Sequence, residues 1–219
     1  MTYRLADFLE VMQHEMQGCG ITLSAKGYRL DGKKGVKSAL GIRDANGGVP
    51  KSCDYMQESE AGLLFVEFSD FERQVQQQQK TLASVSKVPL QASEQKRVRR
   101  LLAVDRQLQT ELYAKVCDTD FILREVVNGK LLPDLPNLSQ PRHVLVVWHE
   151  RGGVDTARLL DSMLLRLKGE LSRANLRYLE PRHLYCLSLD QYQQQYGGLH
   201  SLQPKGLPTV NPKGILVNW

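Results

Sequence analysis

Asp54 and Glu67 are the residues whose type and spacing suit chemistry. Between them, Glu58-Ser59-Glu60-Ala61-Gly62 has the composition of a turn, with Gly62 free to take positive φ. Residues 52–56 on one side and 63–68 on the other read as two strands. The second, LLFVEF, is a nearly continuous apolar run, as expected of a strand covered on both faces. Glu67 is the one charge in that run. A carboxylate there is costly unless it is paired or binds something. An antiparallel hairpin closed over residues 58–62 sets position 54 roughly against position 66 and makes Asp54 and Glu67 close neighbours. Two carboxylates that close repel unless a cation lies between them, and oxygen donors suit a hard divalent ion.

An Asp on one strand and a Glu on the next, followed by a helix, resembles the core of the PD-(D/E)xK nuclease superfamily, which includes restriction endonucleases and Holliday-junction resolvases. The resemblance spans residues 5–79. Asp54 matches the motif Asp and Glu67 the motif Glu, while Ser69 stands where the family has Lys and Pro50 lies four residues before Asp54. The resemblance implies Mg²⁺ or Mn²⁺ held by Asp54 and Glu67, with the Phe68 carbonyl able to add a ligand. An acid from the first element, Glu10 or Glu15, is a further candidate; a solvated face is the plainer reading of both. Ser69 can hydrogen-bond a water but brings no positive charge. Arg73, one turn into the following helix, is better placed to supply one than Lys51. Gln74 or Gln78 resembles a Gln that some members carry on that helix. The fold implied is α/β, a restriction-endonuclease-like mixed central sheet flanked by helices.

Several elements must position these side chains. Residues 3–17 read as an amphipathic helix, with Leu5, Phe8, Leu9, Met12 and Met16 at three- and four-residue steps and Gly18 and Gly20 stopping it. Short strands are expected at 28–30 and 36–42, with turns at Asp31-Gly32 and Asn46-Gly47. Residues 70–80 form a Gln-rich helix. A long helix follows over 93–127, with a break near Cys117-Asp118. It buries Val98, Leu101, Leu102, Leu108, Leu112 and Val116 and exposes Lys96, Arg97, Arg99, Arg100, Arg106 and Lys115. From 80 to 115 there are eight basic and three acidic residues, an excess equal to the whole chain's net charge of +5. Lys96, Arg97, Arg99 and Arg100 are therefore candidate phosphate contacts, with Gln74 and Gln78 on the neighbouring helix. A face for an acidic protein partner is the alternative.

The proline-rich LLPDLPNLSQP at 131–141 marks a possible internal boundary within a domain spanning 1–196. RHVLVVW at 142–148, a helix over 154–173 and a strand at 184–189 form a C-terminal strand-helix-strand unit with a parallel pair, closed by a short helix at 190–196. His149-Glu150 at a strand end offers a place for a small ligand if Asp54 and Glu67 are merely structural. Residues 197–219 read as a tail able to dock on this chain, a second copy or another protein.

The chain has 219 residues, pI near 9.0, 42% hydrophobic and 24% charged residues, the profile of a globular protein with one sizeable core. No apolar run is long enough to cross a membrane and no secretory signal pattern opens the chain, so a cytoplasmic location without membrane association is expected. Four scattered cysteines have neither zinc-ligand nor redox spacing. The basic balance favours a polyanionic partner, DNA before RNA. Two functions stay open. One is a magnesium-dependent endonuclease. The other is a catalytically degenerate relative that binds nucleic acid or a partner protein within a larger assembly, possible settings including antiviral defence.

Overall fold

The structure, a computed structural model, describes residues 2–16, 18–85, 87, 89, 91–101, 104–149 and 156–196. Its centre is a mixed, open, six-stranded sheet flanked by helices. The strands are β1 (Leu9–Val11), β2 (Lys26–Arg29), β3 (Tyr55–Ser59), β4 (Gly62–Ser69), β5 (Arg142–Trp148) and β6 (Leu184–Ser188), lying side by side in that order. β1 to β4 are antiparallel; β4, β5 and β6 are parallel. The helices are α1 (Val36–Ala39), α2 (Phe71–Val85), α3 (Ala92–Leu101), α4 (Val104–Asn128), α5 (Thr156–Leu171) and α6 (Leu189–Gln195).

β4 and β5 are buried on both faces, which is why their sequences are apolar without alternation. Leu63 and Phe65 of β4, with Val144 and Val146 of β5, face Leu108, Leu112 and Val116 of α4 and Leu160, Met163 and Leu167 of α5. Leu64 and Val66, with Leu145 and Val147, face Met12, Met16 and Tyr192 of α6 on the other side. The β3–β4 turn closes between Ser59 and Gly62. Gly62 has φ +119°, and a Cβ there would meet the Pro141 carbonyl oxygen at 2.1 Å, so glycine alone fits. The segment over 131–141 leads from α4 into β5, which joins the same sheet as β4.

Three sequence expectations change. Residues 3–17 do not form a helix: a 3₁₀ turn over Leu5–Phe8 runs into edge strand β1. Leu5 and Phe8 pack into the core under one sheet face, and Met12 and Met16 into the other. A single helical stripe would put all four on one side. Residues 36–42 contain the short helix α1 instead of a strand. The break expected near Cys117-Asp118 is absent: α4 passes through it unbroken, while residues 102–103, between α3 and α4, lie outside the described residues. The tail expected at 197–219 lies outside the described residues. Among the described residues no helix is long and apolar enough to cross a membrane.

α4 is tied to the loop before β6 by Asp120, which is fully buried. Its carboxylate accepts the backbone N–H groups of Arg177 (3.0 Å), Tyr178 (2.6 Å) and Leu179 (2.8 Å) and is paired with Arg124 at 2.7 Å. Replacing it leaves the buried Leu179 N–H and the part-buried Arg177 and Tyr178 N–H groups without their acceptor and takes the carboxylate from Arg124. Asp120→Ala should lower unfolding free energy by about 3–5 kcal/mol, read by urea denaturation. A change under about 1 kcal/mol would show that the 175–179 loop does not depend on this carboxylate.

Candidate functional site

α4 holds β4 and the segment before β3 through three side chains, Lys115, Asp118 and Thr119, spaced within two helical turns. The Asp118 carboxylate accepts the Lys51 N–H at 2.8 Å, and the Thr119 hydroxyl accepts the Cys53 N–H at 2.9 Å. Lys115 reaches Glu67 of β4, with Nζ 2.5 Å from Oε1. Tyr55 pairs with Val66, so one further step of the register sets Asp54 opposite Glu67. Asp54 is held there because its Oδ2 accepts the Phe68 N–H at 2.8 Å, prolonging the ladder by a side chain. The backbone carbonyl of Asp54 meanwhile accepts the Leu30 N–H at 2.9 Å.

A cavity of about 400 Å³ opens beside this pair. Its wall includes His14, Glu15, Arg29, Asp31, Asp54 and Lys115. Glu67 lies behind Lys115 with 3% of its surface exposed. Arg29 is fixed by Glu10 at 3.0 Å, and Glu10 also accepts the Tyr55 hydroxyl at 3.1 Å. Asp31 is paired with Lys37, whose ammonium also donates to the Pro50 carbonyl at 2.8 Å. His14 donates Nε2–H to the Ile21 carbonyl at 2.9 Å and lies against the Phe68 ring.

Burial dominates the electrostatics. It pushes the Asp54 carboxyl up to about 6, against the pull of Lys115 and the Phe68 amide, with Asp31 and Glu15 adding to the rise. Burial and then the Asp54 charge drive Glu67 well above the usual carboxylate range, opposed by Lys115. Burial works against the Lys115 charge, but Glu67 and Asp54 outweigh it and keep the ammonium protonated. One ammonium thus faces two carboxylates that retain a proton longer than isolated acids do.

Asp54 and Glu67 are the residues that could hold a hard, hydrated cation, each through the oxygen not committed to Phe68 or Lys115. Glu67 Oε2 is buried and has no hydrogen-bond partner among the described residues. A buried acceptor left unmet is what a bound ion or its water would satisfy. Among the described residues no group of three or more His, Cys, Asp or Glu side chains converges as a metal cage. Two carboxylates and water suit magnesium, which keeps much of its hydration shell and takes the remaining oxygens from phosphate.

The expected site residues separate into those brought together and those not. Asp54 and Glu67 meet, and Glu15, in the loop after β1, lines the same cavity. Glu10 is engaged by Arg29 and Tyr55. Ser69 is buried at the end of β4, and Arg73 is exposed on α2; neither lines the cavity. Gln74 and Gln78 line a second groove, between α2 and α4. Lys96 and Arg97 are exposed on α3, while the side chains of Arg99 and Arg100 lie outside the described residues. His149 follows β5, and Glu150 lies outside the described residues. Lys115 is the group that sequence reasoning misplaced: it points inward, its side chain 16% exposed. The spacing carries the signal, because 108, 112, 115 and 119 advance by four, three and four and follow the buried stripe. No protein-family profile, curated protein or solved structure matches the chain.

The raised Asp54 pKa has a definite sign. An unfolded-chain aspartate ionises near 3.8 and this one near 6. Over that interval the folded protein binds more protons than the unfolded chain, so stability falls as pH rises. In chelator, wild type should lose stability relative to Asp54→Asn between about pH 4 and about pH 6, and the difference should level off above. Parallel urea curves for the two proteins across that range would show instead that Asp54 is not the group responsible.

Proposed function

We propose that the protein is a metal-dependent nuclease of the PD-(D/E)xK type, in which Lys115 of α4 supplies the charge that Ser69 lacks. The observation that carries this reading is Lys115 itself: an ammonium at the cavity wall, held against Glu67 and facing Asp54. Asp54 and Glu67, with Glu15 at the cavity wall, are the residues that would hold Mg²⁺ or Mn²⁺. The ion would supply a lowered pKa for bound water and neutralise charge developing on the phosphodiester. Lys115 would orient the attacking water or stabilise the equatorial oxygens of the phosphate. Its fixed charge in a partly buried site is worth more than the same charge in water. Arg29 is bound to Glu10 at 3.0 Å and is a poorer choice for that role. The exposed cations of α3, Lys96 and Arg97, would hold the nucleic-acid backbone, DNA before RNA, by sequence-independent contacts.

A second reading has its own observation. The Lys115–Glu67 pair neutralises Glu67 without any ion, as in a catalytically degenerate relative that binds nucleic acid or a partner protein. Titration with Mg²⁺ and cleavage of DNA and RNA strands separate the two. On the nuclease reading, wild type binds Mg²⁺, and Asp54→Ala or Glu67→Ala abolishes metal-dependent cleavage. Lys115→Met lowers kcat by about 10²–10³-fold, and Lys115→Arg recovers part of the loss. Cleavage that survives both carboxylate changes would remove the proposal, and nucleic-acid binding without Mg²⁺ binding would favour the degenerate relative.

A further inference from the structure

The groove between α2 and α4, with a volume of about 380 Å³, is lined by Gln74, Gln77, Gln78 and Thr81 from one helix and by Gln107, Leu108 and Glu111 from the other. We infer that it receives an unpaired nucleobase of the strand whose phosphate lies at Lys115; this inference rests on the nuclease reading above.

Charge makes the first distinction. Among the described residues no Lys or Arg lines the groove, and Glu111 would repel a phosphate, so this wall favours a polar, uncharged occupant. Gln side chains each offer a carbonyl acceptor and an amide donor, the complement of a base edge. Glu111 adds an acceptor for an exocyclic amine.

The second distinction is unmet bonding. The side-chain carbonyl oxygens of Gln74 and Gln78 are buried with no hydrogen-bond partner among the described residues, while the Gln78 amide donates to Gln107. Acceptors of that kind favour a ligand that brings N–H groups. Leu108 gives the groove an apolar patch against which a ring can lie.

Position is the third. Glu111 stands one turn before Lys115 on α4, with its carboxylate 3.7 Å from Nζ. One helical turn, about 5.4 Å along the axis, therefore separates the groove from the cavity wall. A base and its own phosphate span such a gap. A duplex keeps its base edges paired, so the occupant is a single strand or a flipped nucleotide.

The test uses the full chain carrying Asp54→Asn, in Mg²⁺, with fluorescence anisotropy on three probes of equal length: a mixed single strand, the same strand with abasic sites, and a duplex. The base-bearing strand should bind at least about tenfold tighter than the abasic one. Adding Gln74→Leu and Gln78→Leu should remove that difference and leave abasic binding unchanged. Equal binding of base-bearing and abasic strands, tightest binding of the duplex, or no effect of the two leucines would overturn the inference. Cleavage by the wild-type chain, run in parallel, keeps the two ideas apart. Metal-dependent cleavage that the Gln changes do not alter sinks the groove and spares the nuclease. Base-dependent binding without any cleavage sustains the groove and sinks the nuclease.

Discussion

The ion pair between Lys115 and Glu67 is the constraint on which the rest of the site depends. Glu67 belongs to β4, a strand covered on both faces, and a lone charge there would not be tolerated. The lysine that answers it comes from a helix 48 residues further along the chain. Its placement therefore depends on how α4 packs against the sheet, through Leu108, Leu112 and Val116. The same helix fixes the segment before β3 through Asp118 and Thr119. Packing and site geometry are thus one event: the contacts that bury the α4 stripe also bring the ammonium to the carboxylate.

Strand parity decides which chemistry falls on which side. Glu67 shares a face with Leu63 and Phe65, towards α4, and Phe68 turns to the opposite face, against Tyr55 and Tyr192. Asp54 lies just before β3, where the regular ladder ends. Its side chain is consequently free to accept the Phe68 amide, and one oxygen is committed to structure. A residue one place further along, inside β3, would have its backbone bonded on both sides and its side chain locked to a face. The end of the strand is what permits a carboxylate to serve both the hairpin and the cavity.

Much of the scaffold is legible in the residues. The apolar runs at 63–68 and 142–148, the turn at Gly62 and the parallel pair of the C-terminal unit follow from composition and period alone. So does the nearness of Asp54 and Glu67, although the hairpin read from the sequence set position 54 against 66 and the observed register sets it against 67. The first segment is misread because its apolar residues recur at helical steps yet pack into separate cores, and periodicity cannot tell one stripe from two. Lys115 is misread for a different reason. Residue type places a lysine outside, and only the spacing from Leu108 and Leu112 places it inside. Pairing across 48 residues is a tertiary fact that local pattern does not hold.

Charge is distributed unevenly over the molecule. The chain as a whole is basic, with net charge +5, and Lys96 and Arg97 are exposed on α3. Around the cavity the balance reverses. Lys37 is committed to Asp31 and Arg29 to Glu10, which leaves Lys115 facing Asp54 and Glu67, with Glu15 at the same wall. A polyanion drawn in by the basic surface would meet local carboxylates that repel it. On the nuclease reading, a divalent cation held there would reverse the sign of the interaction at the point of contact. On the degenerate reading, Lys115 alone offsets the Glu67 charge; the two proposals thus differ in which cation, the ammonium or a divalent ion, balances the buried carboxylates.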